Sequence, residues 1–161
     1  MILMHGAGGN RLHWPPRLRR LSGVRTYALD LPAHGASGGR PESTISGYTE
    51  RVMDWMRALE LERAVVVGHS MGGAIALTMA LRIPRVVAGA VLVGTSAQFE
   101  VGPKILHLSA KRATFPEAVE RVVSAAFSRS AQGGLVEQAR QRMLETEPDV
   151  FHADFRACAG F

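Results

Sequence analysis

Short apolar runs alternate with helix-spaced apolar positions along the first two-thirds of the chain. Met1–Met4 is a short strand, followed by a Gly-rich loop from His5 to Trp14. Pro15 or Pro16 opens a helix to about Leu21, and Arg25–Asp30 reads as a second strand. A loop from Leu31 to Pro41 is punctuated by Pro, Gly and Ser. Ser43 or Thr44 caps a helix whose apolar face repeats at Ile45, Tyr48, Val52, Trp55, Met56 and Leu59. Arg63–Gly68 is a third strand, Met71–Arg82 a helix with a small-residue start, and Val86–Gly94 a fourth strand. The fourth run is apolar nearly throughout, as a buried parallel strand is. This alternation predicts parallel βαβ units with right-handed crossovers.

The pattern changes after Thr95. From Gly102 onward only helical spacing appears, over about 103–111, 116–127, 133–144 and 148–159. Val119, Val122, Val123 and Phe127 form one apolar stripe; Val150, Phe151, Phe155 and Cys158 form another.

Composition changes this picture little. The 161 residues fit one domain, with 47% hydrophobic and 20% charged residues. The formal net charge is +5. The basic residues are dispersed apart from Arg17, Arg19 and Arg20, and no aromatics interleave with that group, which argues against nucleic-acid binding. No apolar run is long enough to span a membrane, and the N-terminus lacks a signal-peptide pattern, so a cytoplasmic location is expected. Cys158, alone, excludes an intrachain disulfide and reads as a buried structural thiol. No cluster has metal-ligand spacing, so neither a metal nor a cofactor is expected.

The chemistry concentrates at Gly68-His69-Ser70-Met71-Gly72-Gly73. Apolar strand, Gly-x-Ser-x-Gly and helix in succession form the pattern of a nucleophile elbow, a strained turn that lifts a serine hydroxyl above the sheet. Gly68 and Gly72 give the turn its room. His69 reads as a packed elbow residue rather than a base. Directly after the first strand comes His5-Gly6-Ala7-Gly8-Gly9. Acyl transfer develops charge on a carbonyl oxygen and needs N–H donors aimed at it. The expected donors are the amides of Met71 and Ala7, with Gly6 permitting close approach and His5 bracing the loop.

Together with Leu29-Asp-Leu-Pro-Ala-His-Gly-Ala-Ser37, these motifs resemble the α/β-hydrolase family, in its branch of serine esterases and lactonases with a helical cap. The resemblance implies a three-layer α/β fold with a partial parallel sheet, residues 1–99 forming the core and 100–161 the cap. It places the first strand between the second and third, with the fourth beside the third. Loop and elbow then meet at the topological switch point, where ligands bind in open α/β sheets. It also casts Asp30 as a structural aspartate. The implied activity is hydrolysis of a small-molecule ester through Ser70. A perhydrolase, a thioesterase, a C–C bond hydrolase and a non-catalytic binding module remain alternatives.

The family's triad runs in the order Ser, acid, His, the last two on strands after the cap. Those strands, and the strand pair that normally precedes the His-Gly loop, are missing from this sequence, so the acid and histidine are expected beyond Phe161. Internal substitutes are few. Ser70, Asp149 and His152 mimic the triad order, but Asp149 and His152 lie three apart on one helix, which suits packing better. Asp154 is another acid, His107 another downstream histidine, and His34 lies on a loop nearer the site. Both outer strands are expected to be open edges prone to self-association.

Overall fold

A computed structural model describes residues 1–161. Four parallel strands form one sheet: β1 (Ile2–Met4), β2 (Tyr27–Ala28), β3 (Ala64–His69) and β4 (Val87–Val93), in the order β2-β1-β3-β4. This is the expected order. Register is set by Ile2 opposite both Tyr27 and Val66, and by Val67 opposite Val91. The second strand is shorter than the expected Arg25–Asp30: only Tyr27 and Ala28 pair in register with β1, with Tyr27 and Leu29 donating to the Met1 and Leu3 carbonyls.

Alternation along the strands separates two faces. Ile2, Met4 and Val66 point into the main core against α2 (Ile45–Ala58) and α3 (Met71–Arg82). Thr44 caps α2 by accepting from the Gly47 N–H at 3.0 Å. Gly72, Gly73, Ala74 and Ala76 are all buried, so small residues let α3 lie close on β1, β3 and β4. On the other face Leu3 and Val67 pack with Trp14. Trp14 precedes a single helical turn, α1 (Pro16–Arg19).

The fourth strand corrects the sequence reading. It is not a buried strand: Val91, Leu92 and Val93 are 48%, 45% and 42% exposed. No strand pairs with its outer edge. Val91 lies in register with Val67, so it shares the face opposite α3, where Val65 is also exposed.

Beyond the sheet come α4 (Pro103–Ser109), α5 (Phe115–Ala126), α6 (Gly133–Leu144) and α7 (Pro148–Ala159). Leu108, Phe115, Val119, Val123 and Phe151 form a second core among these helices. The stripe predicted on α7 is divided. Phe151 joins the second core, while Ala157 and Cys158 enter the main one. Helix α7 therefore ties the two layers together. Burial pushes the Cys158 thiol up to about 12, which fits a structural thiol. No helix is long and apolar enough to cross a membrane.

Candidate active site

Ser70 stands between β3 and α3 with φ +51° and ψ −117°. A non-glycine residue in that region is strained, and here the surroundings enforce it. The Ser70 N–H donates to the Val93 carbonyl at 2.9 Å, and the Ser70 carbonyl accepts from Gly73 and Ala74. The turn closes only because two neighbours lack side chains. A Cβ on Gly68 would lie 2.0 Å from the Gly72 carbonyl oxygen, and one on Gly72 would lie 2.2 Å from that of Met4. The Ser70 side chain is half-buried and makes no hydrogen bond within the chain.

The loop after β1 passes directly over this turn. A Cβ on Gly6 would sit 3.1 Å from Ser70 Cβ and 2.9 Å from His69 Nδ1. Residues 6–9 form a β-turn closed by Gly9 N–H donating to the Gly6 carbonyl at 3.0 Å. Gly8, its third residue, has φ +62°, the signature of a type II turn. The Ala7 N–H has no acceptor within the chain. The Met71 N–H opens α3, where helix geometry supplies no acceptor either. Two free amides thus flank the serine.

His5 is fully buried behind the loop. Its Nε2 accepts from the Leu31 N–H at 3.1 Å, so the proton sits on Nδ1, which donates to the Gly6 carbonyl at 2.9 Å. Burial, then neighbouring His34, pushes its pKa down to about 3, so the ring is neutral. A ring with both nitrogens engaged braces the loop. His13 is lowered to about 4, chiefly by burial, and burial also lowers His69.

None of the histidines hydrogen-bonds the Ser70 hydroxyl. His152 Nδ1 lies 2.8 Å from Ser109 Oγ, within the helical segment, so the Ser70–Asp149–His152 order does not become a triad. His34 is near the site but committed elsewhere. Its Nδ1 donates to the Pro32 carbonyl at 2.9 Å and its Nε2 to Asp154 Oδ2 at 2.8 Å. Two acceptors require two protons, so the ring is an imidazolium. Burial opposes that charge, but the Asp154 bond and carboxylate outweigh it and hold the His34 pKa above its ordinary value. Asp30 accepts from the Arg11 and Ala36 amides and pairs with the Arg11 guanidinium. Despite opposing burial, these donors keep its carboxyl below the usual range. It organises the loops behind the site.

Asp154 is the group whose place the sequence concealed. It is wholly buried on α7. Besides His34 it accepts from Tyr48 Oη at 2.5 Å and from the Gly8 N–H at 2.8 Å. Thr146 Oγ1 donates to the Gly8 carbonyl at 2.9 Å. The only advance signal was a carboxylate in the apolar run of α7, a buried charge that needs partners.

The profile of the alpha/beta hydrolase family matches residues 1–160, and the chain belongs to this family. Among solved structures it is similar to a thermophilic esterase, with 33% identity and a TM-score of 0.82, covering 99% of this chain and 60% of that one. It shares its fold with the enol-lactonase from Burkholderia xenovorans LB400, at 20% identity and a TM-score of 0.81, covering 98% and 64%. Among curated relatives it is 36% identical over 100 residues to a pimeloyl-[acyl-carrier protein] methyl ester esterase of Edwardsiella ictaluri, covering 62% of this chain and 37% of that protein. The chain spans less than two thirds of the length of these relatives. Their names and the shared fold make it a hydrolase-family chain with esterase-type relatives.

Proposed function

We propose that this chain carries the nucleophile and oxyanion-binding part of a serine hydrolase acting on carboxylic esters. Ser70 Oγ attacks the ester carbonyl, and the Ala7 and Met71 amides hold the oxyanion. The C–O bond to the alcohol then breaks, the alcohol leaving with the proton that Ser70 gave up, and water attacks the acyl-serine to release the carboxylic acid and restore the Ser70 hydroxyl. The single observation that carries this reading is the strained Ser70 turn with the Gly6–Ala7 backbone laid against it. Gly68 and Gly72 give the turn its shape and His5 holds Gly6 in place, whereas His69 is exposed at the end of β3 with its ring beside Gly6 rather than packed as expected. Residues 100–161 act as a cap over an ester-sized small molecule. The attack needs a proton acceptor, and no histidine ring among these residues hydrogen-bonds Ser70 Oγ. Without one, the same pocket binds esters without turning them over.

A fluorophosphonate probe tests the reading on the product of the whole reading frame. One adduct, on the peptide containing Ser70, is the expected result. A folded protein labelled elsewhere or not at all overturns it.

The open edge of β4 supports a second proposal, self-association of the isolated chain. An apolar edge strand with unpaired backbone groups invites another strand. The 161-residue chain is expected to sediment as oligomers at micromolar concentration, and Val91→Lys to shift it toward monomer. A parent that already sediments as a monomer refutes this.

A further inference from the structure

Asp154 has no part in the attack on the ester, yet the fold commits its full burial and three donors to it. The donors come from three separate places: the loop after β1, the loop carrying His34, and α2. An unpaired carboxylate there would be very costly, and the His34 imidazolium neutralises it. The pair therefore adds no net charge beside a site that must accept a negative oxygen.

What the pair holds is the Gly8 peptide. Asp154 Oδ2 takes its N–H and Thr146 Oγ1 donates to its C=O, so the cap grips this residue at both ends. The Phe151 ring closes from beneath; a Cβ on Gly8 would meet it at 2.8 Å. Gly8 is the third residue of the type II turn over Ser70. Types I and II differ by a flip of the central peptide, here Ala7–Gly8. That flip would turn the Gly8 N–H away from Asp154.

We infer that Asp154 is a positioning residue for the oxyanion site: with Thr146 it anchors Gly8 and so fixes the Gly6–Gly9 turn that carries the Ala7 N–H beside Ser70, so the cap sets the geometry of the hole as well as covering it. This rests on the reading of Ala7 as an oxyanion donor. The turn's other fixed point is His5, which acts on Gly6; Asp154 and Thr146 act on Gly8.

The test uses Asp154→Asn and Thr146→Val in the product of the whole reading frame. In Asp154→Asn the new amide, with one oxygen and one NH2, cannot accept from all three donors in any orientation. Thr146→Val leaves the buried charge pair untouched. With p-nitrophenyl butyrate, kcat per fluorophosphonate-reactive site is expected to fall about tenfold or more for Asp154→Asn and several-fold for Thr146→Val, with KM within about threefold. A purely structural role would lower the number of reactive sites and leave kcat per site unchanged. Both variants within twofold of the parent per site overturn the inference. If Ser70→Ala turns over the ester as fast as the parent, the nucleophile reading has failed, and amide exchange decides for Asp154 separately. Exchange at Gly8 and Gly9, the two hydrogen-bonded amides of the turn, about tenfold faster in either variant, with Val66 and Val67 unchanged, upholds the lock. Unchanged exchange at Gly8 and Gly9 overturns it. If Asp154→Asn does not fold, Thr146→Val decides the matter by the same two measurements.

Discussion

Ser70→Ala is expected to reduce kcat for p-nitrophenyl ester hydrolysis by about 10³-fold or more, with little change in KM. The backbone strain at φ +51° is what the fold maintains to raise this one side chain out of the turn. Alanine fits the same backbone no worse than serine, so the elbow, the Gly6 approach and the two free amides all persist. Substrate binding is therefore preserved while the attacking oxygen is lost. Melting temperature serves as the control and is expected to hold within a few degrees. Equal kcat in parent and variant would remove Ser70 from the reaction and leave the pocket as a binding site.

Gly72→Ala is the second large effect, this time on stability. In an exposed helix, alanine in place of glycine gains about 1 kcal/mol. Here the added methyl would lie 2.2 Å from the Met4 carbonyl oxygen and 2.6 Å from that of His5. Both are backbone atoms at the end of a fully buried strand, so no side chain can swing aside. Either α3 lifts from β1 or the loop over Ser70 shifts. We expect a loss of roughly 3 kcal/mol in urea unfolding, at the upper end of overpacking costs. Gly134→Ala is the matched comparison, since a Cβ there meets nothing within 4 Å, and it is expected to be neutral or slightly stabilising. Similar midpoints for the two variants would show that the close approach of α3 to β1 carries no energetic weight.

Local patterning made the Ser70 elbow legible because its features are contiguous. A strand of valines, two glycines at fixed offsets and a small-residue helix lie within a few residues, and each has a steric reason. The His5–Gly9 loop was legible for the same reason. The strand order followed from family resemblance. The open edge of β4 follows from the strand order, but its apolar run reads as buried because apolarity reports what a strand could bury, whereas burial depends on whether something lies beside it. Its outer edge has no partner strand, and Val91–Val93 remain exposed.

The histidines show the opposite limit. His34, Asp149, Asp154 and His152 offered several pairings by type and order. Geometry joined His34 to Asp154 and His152 to Ser109, pairings with sequence separations of 120 and 43 residues. Nothing local distinguishes a carboxylate that will accept a loop amide from one that will face solvent. The sequence by itself determined the elements, the strained turn at Ser70 and the loop that lies against it, since steric turn rules and hydrophobic period act over a few residues. Only the tertiary structure decided that Asp154 and Thr146 close on Gly8, because a buried charge is satisfied by whatever donors the packing of two layers brings within 3 Å.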